Sequence, residues 1–179
     1  MTPTGEELRV DVEGRTLKIS NLDKVLYPRT GTTKGEVLNY YAQIAPVLLP
    51  HLKDRAVTRI RWPHGVEDKS FFEKNTPAGT PSWVRTASVP TTGSRGSSRH
   101  GDHLVFPIVD DLATLTWLVN LAALELHVHQ WTVNRSGRLA RVEVDHQPVR
   151  VARPGSRSAA TSPCWCARDW PIGIWTLAR

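Results

Sequence analysis

Long apolar runs are missing from this chain. No stretch approaches the roughly eighteen consecutive apolar residues that would suggest a membrane-spanning helix. The opening MTPTGEELRVDVEG also lacks the basic-then-apolar pattern of a secretory signal. The expectation is a soluble, cytoplasmic protein with no membrane partner. Cysteine is scarce: Cys164 and Cys166 flank Trp165. Such close neighbours rarely pair with each other, and a lone C-x-C is a weak metal signal. There are no internal repeats. Lysine is absent after Lys74, and neither phenylalanine nor tyrosine occurs from Asn134 onward. A broadly basic surface is lacking too, despite a net charge of +6. Residues 1–133 carry 15 Lys and Arg against 14 Asp and Glu, whereas residues 134–179 carry 8 Arg against 3 acidic residues. The excess therefore lies in the last quarter, and nucleic-acid binding by the body must rest on local patches. With 179 residues the chain suits one domain with a sizeable core.

What is present concentrates between Ser20 and Tyr41. Thr33-Lys34-Gly35-Glu36 fits a capping box, with Thr33 accepting from the backbone of residue 36 and Glu36 reaching back. Apolar or aromatic residues recur at Val37, Tyr40/Tyr41, Ile44 and Val47/Leu48, which keeps one helical face dry. A helix N-terminus offers unpaired N–H groups and partial positive charge. Lys34 in that first turn opposes the macrodipole, which makes sense if an anion sits there. Solvated surface lysines at Lys24 and Lys34 are the alternative.

Taken in order, Leu8–Val12 and Thr16–Ile19 predict a hairpin around Glu13-Gly14. Asp23 suits the cap of a short helical turn through Tyr27. Pro46 should kink or split the helix that starts at Thr33, and Pro50 should end it. In Ala56–Trp62, Val57, Arg59 and Arg61 share one strand face. That face is either a solvated surface, which residue type favours, or the floor of an anion site. Adjacent Phe71 and Phe72 either divide between core and surface or form a base-stacking platform with Lys74 beside it for phosphate. Thr91–His103 reads as a surface loop, and His103–Val109 as a strand. Asp111 caps a helix predicted over Leu112–Glu125. From Leu126 to Trp131 the period falls to two, with His127, His129 and Trp131 on one face. Two histidines at that spacing ligate a metal only with a third ligand, which the sequence does not point out.

The run NLDKVLYP-x-TGTTK, then RWPHGV, SFFEKN and DDLATLTWLVNLAALELHVHQW, resembles the polymerase domain of bacterial ligase D, the primase-like module of the non-homologous end-joining ligase. The likeness spans roughly Val10 to Trp131. It implies an α/β (α+β) fold: a primase-polymerase-like antiparallel sheet core with flanking helices, here expected to be truncated. It implies a DNA-end-directed nucleotidyltransferase that fills gaps or extends ends, using Mn2+ or Mg2+ and a nucleoside triphosphate. The implied partners are DNA ends or gaps bearing a 5′-phosphate, together with Ku and the ligase and nuclease domains of the same system, and on DNA the protein would be nucleoid-associated. By resemblance Asn21, Lys24 and Lys34 hold the 5′-phosphate, Phe71 and Phe72 stack on the template, Lys74 lies in the same motif, and His127 sits at the nucleotide site as a catalytic residue. Arg59 and Arg61 are candidates for phosphate contact from their residue type alone.

The family takes its metal-binding carboxylates from an Asp-x-Asp-Pro-Gly strand just after this region and from a later Asp. Neither is recognisable, and no metal ligands are assigned. Glu143-Val144-Asp145 has the i, i+2 spacing but not the Pro-Gly turn. From Asn134 the composition shifts to Arg, Ser, Pro, Trp and Cys without sustained periodicity. Were Ala152–Pro154 encoded GCT-CGA-CCC, the same bases would read Leu-Asp-Pro one base later. The expectation is that residues 1–133 are the N-terminal part of the polymerase domain and that residues 134–179 are an atypical tail, frameshifted or disordered. A basic nucleic-acid-binding tail is the alternative. Catalysis should then be impaired, leaving a non-catalytic binder of 5′-phosphorylated ends or an inactive gene fragment as the other functions. Part of the apolar face of the Leu112–Glu125 helix should also be left uncovered.

Overall fold

The computed structural model describes residues 7–90, 103–134, 139–142 and 176–177. Strands β1 (Glu7–Val12) and β2 (Arg15–Ser20) form the expected hairpin, with Val10 opposite Leu17 and Leu8 opposite Ile19. Alternation sends Val10, Val12, Leu17 and Ile19 into the core. The chain then turns at Asn21, whose φ of 56° is one that Asn tolerates better than most residues. It continues not as a helical turn but as β3 (Val25–Tyr27), paired with β4 (Thr32–Thr33). Short-range pairing across the Pro28–Gly31 turn outcompetes the Asp23 cap.

Helix α1 (Lys34–Leu52) starts at the predicted box, with Glu36 N donating to Thr33 Oγ1 and Thr33 N to Glu36 Oε2. It runs through both Pro46 and Pro50 rather than ending. The two prolines lie one turn apart on the exposed face, where carbonyls deprived of a donor can turn to water.

The main sheet runs β10 (Leu139–Val142), β9 (Ala123–Val133), β5 (Arg55–Arg61), β6 (Phe71–Glu73), all antiparallel. Strands β7 (Thr86–Pro90) and β8 (His103–Pro107) form a separate ribbon, bridged to the main sheet by Ala56 and Ile108. The predicted His103–Val109 strand thus ends two residues early. The loop predicted at Thr91–His103 lies, apart from His103, outside the described residues.

Helix α2 covers only Leu112–Asn120, capped by Asp111 Oδ1 accepting from Thr114 N. Glu13 Oε2 is a second capping acceptor and takes Leu112 N. The helix thus ends five residues before Glu125, the end expected from LAALEL, and the Ala122 φ of 58° reverses the chain into β9. Strand pairing with β5 from Ala123 onward overrides helix propensity here. All residues from Ala113 to Val119 are buried. Helix α1, β2 and β9 pack around α2, so the expected bare face is covered. Two pieces of the tail join sheets: β10 pairs with β9, and β11 (Thr176–Leu177) pairs with β1.

Among the described residues, the antiparallel sheets and two helices match the α/β class expected. No helix of the described residues is long and apolar enough to cross a membrane.

Candidate phosphate cleft and aromatic edge

The β2–β3 turn, the first turn of α1, the end of β5 and the α2–β9 turn meet around a cleft of about 230 Å³. Ser20, Asn21, Lys24, Lys34, Arg61, His64 and Asn120 supply its polar lining, and none of the described residues that line it is a carboxylate. Lys34 is 5% exposed; its Nζ donates to the Ser20 carbonyl at 2.6 Å. With burial first and Lys24 second, its pKa is pushed down to about 8. Lys24 Nζ lies 3.4 Å from His64 Nδ1. Arg61 Nε donates to the Leu121 carbonyl (2.6 Å) and Nη1 to Glu73 (2.8 Å). A buried lysine with no acidic partner among the cleft's residues is costly unless an anion compensates it.

The helix N-terminus contributes differently from expectation. Its first N–H groups are occupied: Lys34 N by the Lys24 carbonyl, Gly35 N by the Leu22 carbonyl and Glu36 N by Thr33. The loop that carries the lysines folds back and satisfies the amides, so any anion here would meet side chains.

Arg59 overturns the expectation of a solvated face. It is 0% exposed, and its Nη2 donates to Glu73 Oε2 (2.6 Å) and the Asn75 carbonyl (2.8 Å). Glu73, which sequence reasoning passed over, holds both arginines. The only hint was an acidic residue in a strand that follows a two-arginine strand. Arg61 reaches the cleft, whereas Arg59 has no surface from which to touch a phosphate.

Phe71 and Phe72 both stand exposed on the edge strand β6, so neither enters the core. Lys69 Nζ lies over the Phe71 ring and Lys74 Nζ over Phe72, at 5.7 and 5.8 Å. His127 is exposed on β9 opposite Thr58, with Nε2 3.0 Å from Glu125 Oε2. Glu125, also not anticipated, raises the Tyr27 pKa after the larger effect of burial. Arg61 pairs with Ala123 and Thr58 with His127, which separates His127 from the cleft wall by about three strand residues, or ~10 Å. His129 does not share that environment: Nδ1 donates to the Ala56 carbonyl (2.9 Å), and the ring packs against Phe106 and Trp131.

Among the described residues no three of His, Cys, Asp and Glu come together to hold a metal ion. Glu143 and Asp145 lie outside the described residues. The described residues therefore do not fit the divalent ions the resemblance implies.

Fold and cleft together define an antiparallel α/β domain with a cationic pocket of anion size beside an exposed aromatic edge. The family described as LigD, primase-polymerase domain, matches residues 33–160. This chain belongs to that family. It is 41% identical over 134 residues to the multifunctional non-homologous end joining protein LigD of Mycolicibacterium smegmatis, covering 74% of this chain and 16% of that protein. To the Bacillus subtilis bifunctional non-homologous end joining protein LigD it is 37% identical over 132 residues, 74% of this chain and 20% of that protein. Its fold resembles the polymerase domain from Mycobacterium tuberculosis ligase D in complex with DNA, with TM-score 0.59 and 40% identity over 69% of this chain and 42% of that one. The chain thus spans a fifth or less of the length of these curated relatives.

Proposed function

We propose that this chain recognises the 5′-phosphate at a DNA gap or end, as the end-binding part of an end-joining nucleotidyltransferase. The observation that carries the reading is buried Lys34 in an open cleft shared with Lys24, Arg61 and His64, with no carboxylate among the described residues that line it. A terminal phosphate supplies the missing negative charge and several acceptor oxygens. Asn21 borders the same cleft and adds an amide donor. Phe71 and Phe72 offer faces for a template base, and Lys74 a nearby charge for its phosphate. By family resemblance His127 would contact the incoming nucleoside triphosphate. Support comes from the DNA complex of the similar polymerase domain. Mn2+ or Mg2+, Ku and the ligase and nuclease domains belong to the whole-protein reading.

The sequence has no Asp-x-Asp-Pro-Gly, so this chain is expected to bind ends without adding nucleotides. The division into 1–133 and 134–179 is part of the same proposal. The family match extends to residue 160, and genomic sequencing across the second segment tests whether the frame is continuous.

Fluorescence anisotropy with gapped duplexes provides the binding test. A 5′-phosphate should tighten binding by about tenfold or more over a 5′-hydroxyl, the effect of one or two charge-assisted contacts. Equal binding overturns the proposal. Phe71→Ala and Phe72→Ala should weaken binding by roughly 1–3 kcal/mol per lost stack. Both side chains are exposed, so chemical unfolding of these variants should stay within about 0.5 kcal/mol of the parent.

A further inference from the structure

We propose that Glu73 is a positioning residue that couples the phosphate cleft to the Phe71–Phe72 edge, so that seating a 5′-phosphate and stacking a base reinforce each other. This rests on the end-binding reading above. Strand β6 has three residues and lies at the sheet edge, paired with β5 so that Arg61 faces Phe71, Ile60 faces Phe72 and Arg59 faces Glu73. Its two phenylalanines point away from the core and cannot anchor it. Glu73 supplies the side-chain hold, with Oε2 accepting from buried Arg59 and Oε1 from Arg61. Arg59 extends the hold to the Asn75 carbonyl, and Asn75 Oδ1 accepts from Val105 N on β8, so the exit of β6 is tied down as well.

On the other side, Arg61 lines the cleft beside Leu121 and Ala122, and its Nε is held by the Leu121 carbonyl. The carboxylate is thus the acceptor common to the strand that displays the aromatics and the guanidinium that faces the anion. Without it, two like charges two residues apart on one strand face repel each other. Arg61 then loses the contact that orients its Nη1, and β6 loses its side-chain bond to β5. A phosphate drawing Arg61 toward the cleft acts on β6 through this carboxylate.

The test uses the full 179-residue chain and gapped DNA carrying 2-aminopurine at the template position, with and without the 5′-phosphate. In the parent protein the phosphate should both tighten binding and deepen 2-aminopurine quenching. Glu73→Gln should reduce both phosphate effects by roughly fivefold or more, the size expected for coupling within one network. Because Glu73→Gln leaves Arg59 buried and uncompensated, Arg59→Met/Glu73→Gln is measured alongside it. The double variant removes the buried charge, recovers the cooperative unfolding transition and should remain uncoupled. Arg59→Met alone keeps the Glu73–Arg61 contact, so both phosphate effects should survive in it even where loss of the Asn75 tether lowers the quenching without phosphate. A folded Glu73→Gln or double variant with the parent's phosphate effects overturns the coupling and leaves end binding intact. A parent protein indifferent to the phosphate overturns both. Phosphate-tightened binding with unchanged quenching in the parent overturns the coupling alone.

Discussion

Replacing Lys34 with alanine should cost this protein its preference for phosphorylated ends, weakening binding to 5′-phosphate DNA by about 10–100-fold while hardly changing binding to 5′-hydroxyl DNA. The expected size follows from its position. Lys34 is 5% exposed and already held by the Ser20 carbonyl, so little side-chain entropy remains to be lost on binding. Lys24 is less buried and shared with His64, and Lys24→Ala should cost less. Lys34→Met separates binding from folding. It fills similar space without the charge, so phosphate recognition should disappear while stability at neutral pH holds or rises. Anisotropy titrations paired with urea unfolding check both halves. A Lys34→Met protein that still prefers the phosphate would show that the cleft is not the site.

The same lysine sets a pH dependence. Its pKa stands at about 8 in the folded protein against an ordinary 10.5. Between those values the unfolded chain holds a proton that the native state has released, so this group's contribution to stability rises with pH across the window and is lost as pH falls through 8. A depression of that size corresponds to roughly 3 kcal/mol at most. Tyr41 acts in the opposite sense at higher pH. Burial pushes its pKa up to about 12, so its contribution is lost from about pH 10 upward. Phosphate binding needs charged Lys34, and the 5′-phosphate advantage should therefore shrink as pH climbs from 7 to 9. The phosphate itself is fully ionised there, its second pKa lying near 6. Lys34→Arg stays charged throughout, so any advantage it retains should be flat over the same range.

What the sequence made legible was what its neighbours decide. Thr33 and Glu36 are three residues apart, and the box they form depends on nothing further away. The β1–β2 hairpin is likewise local. Arg59 reads as surface because a strand arginine usually is one, and only Glu73, fourteen residues later, makes its burial tolerable. LAALEL reads as helix because its competing partner, β5, lies far away in the chain. At α1 the amides looked free because their acceptors, the Leu22 and Lys24 carbonyls, reach back from a loop whose path the sequence does not specify. The association of Asn21, Lys24 and Lys34 was legible through family resemblance; no spacing rule would have brought Arg61 and His64 to the same cleft.

The buried arginine leads to an asymmetry in stability. Glu73→Ala should destabilise the fold by about 3–5 kcal/mol, because it strands a buried guanidinium without a counter-charge. Arg59→Met should cost less than about 1 kcal/mol because its effects oppose each other: a hydrogen-bonded charge is lost, but an apolar chain of similar length fills the space. The difference lies in who can reach water. Arg59 is 0% exposed, and its Nε and Nη1 find no partner among the described residues, whereas the Glu73 side chain is 27% exposed and keeps Arg61 when Arg59 is gone. Urea unfolding of the two single variants measures the asymmetry directly. Equal losses would mean that water reaches the Arg59 guanidinium in solution. A larger loss for Arg59→Met would mean that the hydrogen bond to the Asn75 carbonyl, rather than the carboxylate, holds the edge strand in place.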